Sequence, residues 1–266
     1  MDNILILHSI ILGTIQGITE FLPISSSAHL VILPYLLKWN YQGLGFDVAL
    51  HFGSLIAIIL YFNKKWILLI KNSFRKVNTI EKKLFWYIII STIPACITGY
   101  FLEKYAENIF RTPFLIGLSL IFFSFVMLIS DKYGKKTLNL ESLCLKNSLF
   151  IGICQAIAIL PGVSRSGITI SAGLLAGLKR SSAAEFSFLL ATPVIFGASI
   201  FELKNFFNTN ITNINFYLLF GFIFSIISSL TAIKFLLYYL KKYSLSIFVI
   251  YRIILGIILI FLDIFY

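Results

Sequence analysis

The residues best suited to chemistry fall in two short stretches, one near the start of the chain and one past its middle. The first is Gln16-Gly-Ile-Thr-Glu20-Phe-Leu-Pro-Ile-Ser-Ser-Ser-Ala-His29, and the second is Pro161-Gly-Val-Ser-Arg165-Ser-Gly-Ile-Thr169. Each interrupts an apolar region with a proline and a run containing serines. A carboxylate, an imidazole, a guanidinium and several hydroxyls in apolar sequence suit the binding of a phosphate or diphosphate group.

In the first stretch, Gln16 and Glu20 are four residues apart and share one face of a helix. A new helix is predicted to start near Ser25 or Ser26, with His29 one turn in. The free amides and the dipole of a helix start attract anions. An alternative reading makes the serines helix caps alone and His29 a buried histidine with satisfied hydrogen bonds.

In the second stretch, Arg165 follows a predicted helix start at Ser164. A guanidinium can hold phosphate oxygens through two parallel hydrogen bonds, which lysine cannot. The predicted substrate-binding residues share a hydroxyl and a position at or one turn past a break: Ser25, Ser27, Ser164, Ser166 and Thr169.

The composition indicates the environment that surrounds these residues. Hydrophobic residues make up 59% of the 266, charged residues only 12%, and the mean hydropathy is +0.93. Soluble domains carry about 25% charged residues, so we predict an all-α integral membrane protein. The net charge of +11 lies mostly in short loops between apolar segments, which is an orientation signal and argues against a nucleic-acid partner.

Six segments are long and apolar enough to be spanning helices: about Leu44–Phe62, Leu84–Leu102, Pro113–Ile129, Ala183–Phe201, Phe216–Leu237 and Leu245–Phe261. Two further regions, Ile4–Leu37 and Asn147–Leu178, are interrupted by the breaks. We predict that each is a re-entrant pair of half-helices, because a proline in mid-segment removes a helical hydrogen bond.

The two breaks are alike in order: Gly13-x-x-Gln16 precedes the first, and Gly152-x-x-Gln155 precedes the second. This predicts one membrane domain, residues 1–266, made of internal repeats of approximately 1–130 and 131–266. Basic loops are cytoplasmic by the positive-inside rule. The first pair then opens from the outside and the second from the cytoplasm, so the repeats are inverted.

Ionisable side chains at membrane depth cost about 2.5–3.5 kcal/mol or more on insertion scales. Glu20 and Arg165 therefore form either a functional pair or a structural ion pair. Asp47 and His51, one turn apart, are expected near the site. Two further charges within the spans, Glu185 and Arg252, are expected to make interhelical pairs.

Both stretches, with Phe46-Asp-Val-Ala-Leu-His-Phe-Gly-Ser54 between them, resemble signatures of the bacterial undecaprenyl-diphosphate phosphatases, the bacitracin-resistance family, and the likeness covers nearly the whole chain. It implies hydrolysis of undecaprenyl diphosphate to the monophosphate carrier of cell-wall synthesis, in the bacterial cytoplasmic (inner) membrane. It also implies six spans, two re-entrant pairs and a divalent cation, Mg²⁺ or Ca²⁺. A homodimer is compatible with the sequence.

By this resemblance Glu20, Ser26, His29 and Arg165 are the catalytic residues, and Glu20 and Gln16 would hold the metal. Ser26 attacks the phosphorus or orients a water, and His29 acts as general acid or base. Position 16 is Glu in many members of the family, so Gln16 removes one carboxylate. The rival interpretation is a transporter of a polyprenyl phosphate or another anion, because inverted repeats with broken helices are typical of transporters.

Overall fold

The computed structural model describes residues 2–39, 44–208 and 216–265, and these ranges are almost entirely helical. Within them the chain forms eleven α-helices: α1 (Asp2–Phe21), α2 (Ser26–Leu37), α3 (Leu44–Tyr61), α4 (Asn63–Ser73), α5 (Ile80–Phe110), α6 (Pro113–Tyr133), α7 (Leu145–Ala156), α8 (Arg165–Leu175), α9 (Arg180–Asn208), α10 (Phe216–Tyr239) and α11 (Ser246–Phe265). The predicted all-α class is confirmed.

Six of the described helices contain segments apolar and long enough to cross a bilayer: Ile4–Phe21, Ile80–Leu102, Pro113–Tyr133, Arg180–Ile200, Phe216–Tyr239 and Ser246–Phe265. Their outer faces are apolar, with side chains such as Phe122 and Ile257 more than half exposed. Hydrocarbon, rather than water, is the solvent that such a surface requires. The predicted membrane protein is confirmed.

The predicted span Leu44–Phe62 matches α3, and the first half of the predicted pair Ile4–Leu37 matches α1. The apolar part of α1 runs over 18 residues, so α1 is as long as α3. After α3 the chain turns by 77° into α4. The polar sequence at Asn63–Lys65 explains the turn, because charged side chains stay at the membrane interface.

The two breaks have the same backbone geometry. Ser25 has φ 75° and ψ 98°, and Ser164 has φ 69° and ψ 111°. Such positive φ values cost a non-glycine residue about 1–3 kcal/mol and cluster at functional sites. Ser164 caps α8 by accepting from the Gly167 amide at 3.2 Å, as predicted. The cap predicted for Ser25 is wrong: its hydroxyl makes no cap bond and lies 3.1 Å from Ser27 Oγ.

Helix α1 packs on α10 and α7 packs on α5, the two pairs that an inverted duplication would relate. Helix α6 packs on α11, and α3 packs on both α10 and α9. Gly13 and Gly152, the glycines of the two predicted motifs, each lie where a Cβ would collide with a backbone carbonyl of the neighbouring helix, that of Gly221 or Ser91. An inverted duplication requires such pairing; the inverted repeat itself stays a prediction.

Arg252, fully buried in α11, links the two breaks. Its guanidinium donates to the Pro23 carbonyl of the first break at 3.3 Å, and to the Gly162 and Val163 carbonyls of the second at 3.0 and 3.1 Å. It also donates to Ser124 Oγ in α6 at 3.1 Å. The predicted interhelical role is therefore met by carbonyls and a hydroxyl instead of a carboxylate.

Candidate active site

Glu20, in the last turn of α1, is where the two breaks meet. Its Oε1 accepts from Arg165 Nη2 at 2.8 Å, although the two residues are 145 positions apart. Its Oε2 accepts from Ser26 Oγ at 2.7 Å and from Gln16 Nε2 at 3.0 Å. The side chain of Glu20 is only 7% exposed. One buried carboxylate thus binds a hydroxyl and an amide from its own part of the chain and a guanidinium from the second break.

Ser26 combines a reactive position with access. It is the first residue of α2, is half-buried, and its hydroxyl donates directly to a carboxylate. A carboxylate can take the proton of such a hydroxyl as the oxygen attacks. The amides of the first turn of α2 lack intrahelical partners and favour an anion at the same place.

The two histidines of the predicted region have different surroundings. His51, on α3, lies with Nδ1 2.9 Å from Gln16 Nε2 and 3.5 Å from Glu20 Oε2. His29, the predicted catalytic histidine, contacts the Ser25 carbonyl at 2.7 Å through Nδ1, and the Tyr251 hydroxyl at 2.6 Å through Nε2. The structure therefore brings His51, and not His29, to the carboxylate.

Glu20 and Arg165 line a cavity of about 340 Å³. The other polar residues in its wall are Ser27, Asp47, His51, Arg111 and Ser199. The two guanidinium groups offset the carboxylates of Glu20 and Asp47 in this wall and supply donors for an anionic ligand. The sequence signalled Asp47 and His51 by their spacing of one turn. It gave no local signal for Arg111, which lies just past the end of α5 and reaches the cavity only through the tertiary fold.

Four of the five predicted substrate-binding hydroxyls are buried among packed residues at one of the two breaks. Ser166 Oγ donates to the Leu22 carbonyl at 3.1 Å, and Thr169 Oγ1 donates to the Arg165 carbonyl at 2.7 Å. Ser25 and Ser164 are also buried. Only Ser27 of this set lines the cavity, and substrate binding by the other four stays a prediction.

A divalent cation at Glu20 and Gln16 lacks a preformed ligand set. Across the described ranges, no three His, Cys, Asp or Glu side chains form a group that could hold a metal ion. Both oxygens of Glu20 already accept hydrogen bonds, one from Arg165, and Gln16 turns its nitrogen toward that carboxylate. The residues present do not fit a cation held by protein alone. Mg²⁺ often takes ligands from substrate phosphates, so a cation would have to enter with the diphosphate.

A sequence profile of the family described as bacitracin resistance protein BacA matches residues 9–258. The chain belongs to the BacA family. Its curated relatives include the undecaprenyl-diphosphatase of Pelotomaculum thermopropionicum, 46% identical over 253 residues that cover 94% of each chain. That of Elusimicrobium minutum is 45% identical over 254 residues, 95% of this chain and 96% of the relative. That of Thermodesulfovibrio yellowstonii is 47% identical over 248 residues, 92% of each chain.

The range matched to the BacA family contains every polar residue placed at the cavity, from Glu20 to Ser199. Membership and the six apolar segments together make this BacA family protein a multi-pass membrane protein.

Proposed function

We propose that this BacA family protein hydrolyses undecaprenyl diphosphate to undecaprenyl phosphate and inorganic phosphate. The observation that carries the proposal is the carboxylate of Glu20, which holds the Ser26 hydroxyl at 2.7 Å and Arg165 at 2.8 Å. A nucleophile, its base and a phosphate-binding guanidinium thus meet at one carboxylate, and Glu20 and Arg165 line a cavity inside a membrane protein. The relatives named undecaprenyl-diphosphatase support this substrate. The reaction would recycle the lipid carrier for cell-wall synthesis and confer resistance to bacitracin.

Binding of the diphosphate depends on cations and dipoles. Arg165 has a second nitrogen, Nη1, that is buried and has no hydrogen-bond partner in the described part of the chain. A phosphate oxygen would satisfy it while Nη2 stays on Glu20. Arg111 adds a second positive charge at the cavity wall. Positioning and neutralising the phosphates in this way is most of what phosphoryl transfer requires of a protein.

In the covalent route, Ser26 Oγ attacks the terminal phosphorus while its proton passes to Glu20 Oε2. The bond between that phosphorus and the bridging oxygen breaks, and undecaprenyl phosphate leaves with the bridging oxygen. Water then attacks the phosphoserine, the proton on Glu20 returns to Ser26, and inorganic phosphate is released. In the alternative route, Ser26 and Glu20 orient a water that attacks the same phosphorus directly.

An imidazole beside the leaving group would lower the barrier further, because its proton affinity suits neutral pH. The sequence predicts His29 for this role, and the geometry of the cavity favours His51. The diphosphate would enter from the outer face of the cytoplasmic membrane. A divalent cation remains part of the proposal only as a companion of the substrate phosphates.

Phosphate release by detergent-purified protein tests the proposal, because transport alone liberates no phosphate. We expect the wild type to release one inorganic phosphate per undecaprenyl diphosphate. We expect Ser26→Ala to lose activity by about 10³-fold while its melting temperature is retained. Absence of phosphate release by the folded wild type, with and without added Mg²⁺ or Ca²⁺, would overturn the proposal.

A further inference from the structure

Gln155, in the last turn of α7, is buried without a hydrogen-bond partner. It is only 2% exposed, and neither its Nε2 nor its Oε1 has a partner among the residues that the structure describes. Buried polar atoms are nearly always paired, so an amide with both atoms unpaired needs an explanation. A ligand that binds beside it would supply one.

The comparison with Gln16 explains why Gln155 lacks a partner within the protein. The two glutamines occupy the same place before the two breaks, three residues after Gly13 and Gly152. Gln16 donates to Glu20, four residues later and on the same helix face. Ile159 lies four residues after Gln155, and its side chain has no hydrogen-bond acceptor. The second break therefore has the glutamine amide but lacks a carboxylate that would accept a hydrogen bond from it.

Gln155 lines a second cavity, of about 360 Å³, whose wall is mostly apolar. This cavity lies against α5 and α9, and Gly99 and Gly197 leave open space in its wall: no atom lies within 4 Å of a Cβ built on either. Tyr100, at the same cavity, is 72% exposed on the outer surface of the helices. The second cavity thus opens sideways, toward the lipid.

The two cavities share a wall made of Ala158, Ile159, Arg165, Val194 and Ala198. Arg165 is the one charged residue of this shared wall. Its Nη2 donates a hydrogen bond to Glu20, whereas its Nη1 has no hydrogen-bond partner in the described ranges. Arg165 therefore lines both cavities, together with Gln155 in one and Glu20 in the other.

We propose that Gln155 and Arg165 Nη1 form a subsite for the phosphate that stays on the lipid, and that the apolar cavity beside them takes the first isoprene units. This inference rests on the proposed hydrolysis. The lipid-proximal phosphate of a diphosphate carries one negative charge and the terminal phosphate up to two. The neutral amide of Gln155 can donate to an oxygen of the former, while the Ser26 hydroxyl and the free amides at the α2 start face the latter. The subsite would fix which phosphorus is attacked.

Product binding tests the subsite without depending on turnover. Gln155→Leu removes the amide at similar volume. We expect it to weaken inhibition by farnesyl monophosphate about tenfold and to leave inhibition by inorganic phosphate unchanged. Ser171→Ala is the matched control: Ser171 Oγ is also buried without a partner in the described chain, but it lines neither cavity. Both inhibition constants should stay unchanged in this control.

Folding of Gln155→Leu should be retained, because the substitution removes an unpaired buried group. Gln155→Met serves as a second variant and should give the same shift. Wild-type inhibition by farnesyl monophosphate in both variants would overturn the subsite, even if the wild type hydrolyses undecaprenyl diphosphate. If the wild type hydrolysed nothing, the proposed function would fail. Farnesyl monophosphate binding, measured by thermal shift, would then still decide whether Gln155 binds a lipid phosphate.

The apolar part of the inference has its own test. Gly197→Leu fills open space in the second cavity. We expect it to raise KM for farnesyl and undecaprenyl diphosphate at least about tenfold more than for the five-carbon isopentenyl diphosphate. An equal change for all three substrates would show that the prenyl chain lies elsewhere.

Discussion

At the scale of residues, Gln16 determines which ring nitrogen of His51 accepts a hydrogen bond. Its amide nitrogen lies 3.0 Å from Glu20 Oε2 and 2.9 Å from His51 Nδ1. Because an amide nitrogen only donates, Nδ1 of His51 must accept, and the proton of the neutral ring lies on Nε2. In His29 both ring nitrogens are engaged, by the Ser25 carbonyl and the Tyr251 hydroxyl. This difference favours His51 for the proposed proton transfer, and the predicted catalytic role of His29 stays a prediction.

A pair of matched substitutions separates the two histidines. We expect His51→Asn to lower kcat by about 10²-fold with little change in melting temperature, because a general acid or base is lost. We expect His29→Asn to lower the melting temperature, with a smaller effect on kcat measured below it. An unchanged kcat in His51→Asn, together with loss of activity in a fully folded His29→Asn, would reverse the assignment.

Gln16→Glu tests how the site uses cations. A second carboxylate beside Glu20 replaces a donor with a repelling charge. We expect lower phosphate release after treatment with EDTA, and a steeper rise with added Mg²⁺ or Ca²⁺, than in the wild type. Gln16→Leu, which removes the donor without adding charge, should lose activity at all cation concentrations. Superimposable cation curves for Gln16→Glu and the wild type would show that position 16 has no part in cation binding.

At the scale of elements, the buried guanidinium of Arg252 links the two breaks by donating to backbone carbonyls of both. Pro23 and Pro161, with the serines after them, made both breaks predictable, because proline interrupts helical hydrogen bonding locally. The partners of Arg252 were not predictable, because carbonyls freed by two distant breaks leave no pattern in the sequence. The bend between α3 and α4 has no proline or glycine, and its only mark in the sequence is the polar run Asn63–Lys65.

Arg252→Met should destabilise the protein. The substitution leaves the carbonyls of Pro23, Gly162 and Val163 buried without their donor, at a cost of about 3 kcal/mol or more. We expect a clearly lower melting temperature in detergent. Lys65→Met is the control, since Lys65 pairs with Glu185 at 2.6 Å but both side chains are about 30% exposed. Such a pair contributes about 1 kcal/mol or less. Equal melting temperatures for the two variants would contradict the role of Arg252.

At the scale of the whole molecule, composition and apolar lengths were sufficient to predict a membrane protein with six long helices. They were not sufficient to show which helices these are, because α1 and α3 have nearly equal apolar lengths and differ only in the segments that come after them. The pair of Glu20 and Arg165 could be predicted in outline, since two charges in apolar sequence must find partners. The approach of His51 and Arg111 depends on contacts between distant helices.

The predicted inverted arrangement places the ends of α2 and α4 on opposite sides of the membrane. In a variant whose native cysteines at positions 96, 144 and 154 are serine, Lys76→Cys should react with a membrane-impermeant maleimide only from the cytoplasmic side. Lys38→Cys should react only from outside. Both positions are exposed on the protein surface. Labelling of both cysteines from the same side would contradict the inverted topology.

The central claim is that the two breaks form one catalytic site, and a double-mutant cycle on kcat/KM for undecaprenyl diphosphate tests it most directly. Glu20→Gln and Arg165→Lys should each lower kcat/KM by about 10²-fold or more, because each removes part of one hydrogen-bonded unit. The double variant should then have about the same kcat/KM as the less active of the two single variants. Losses that multiply, or near-wild-type activity in either folded single variant, would contradict a shared site.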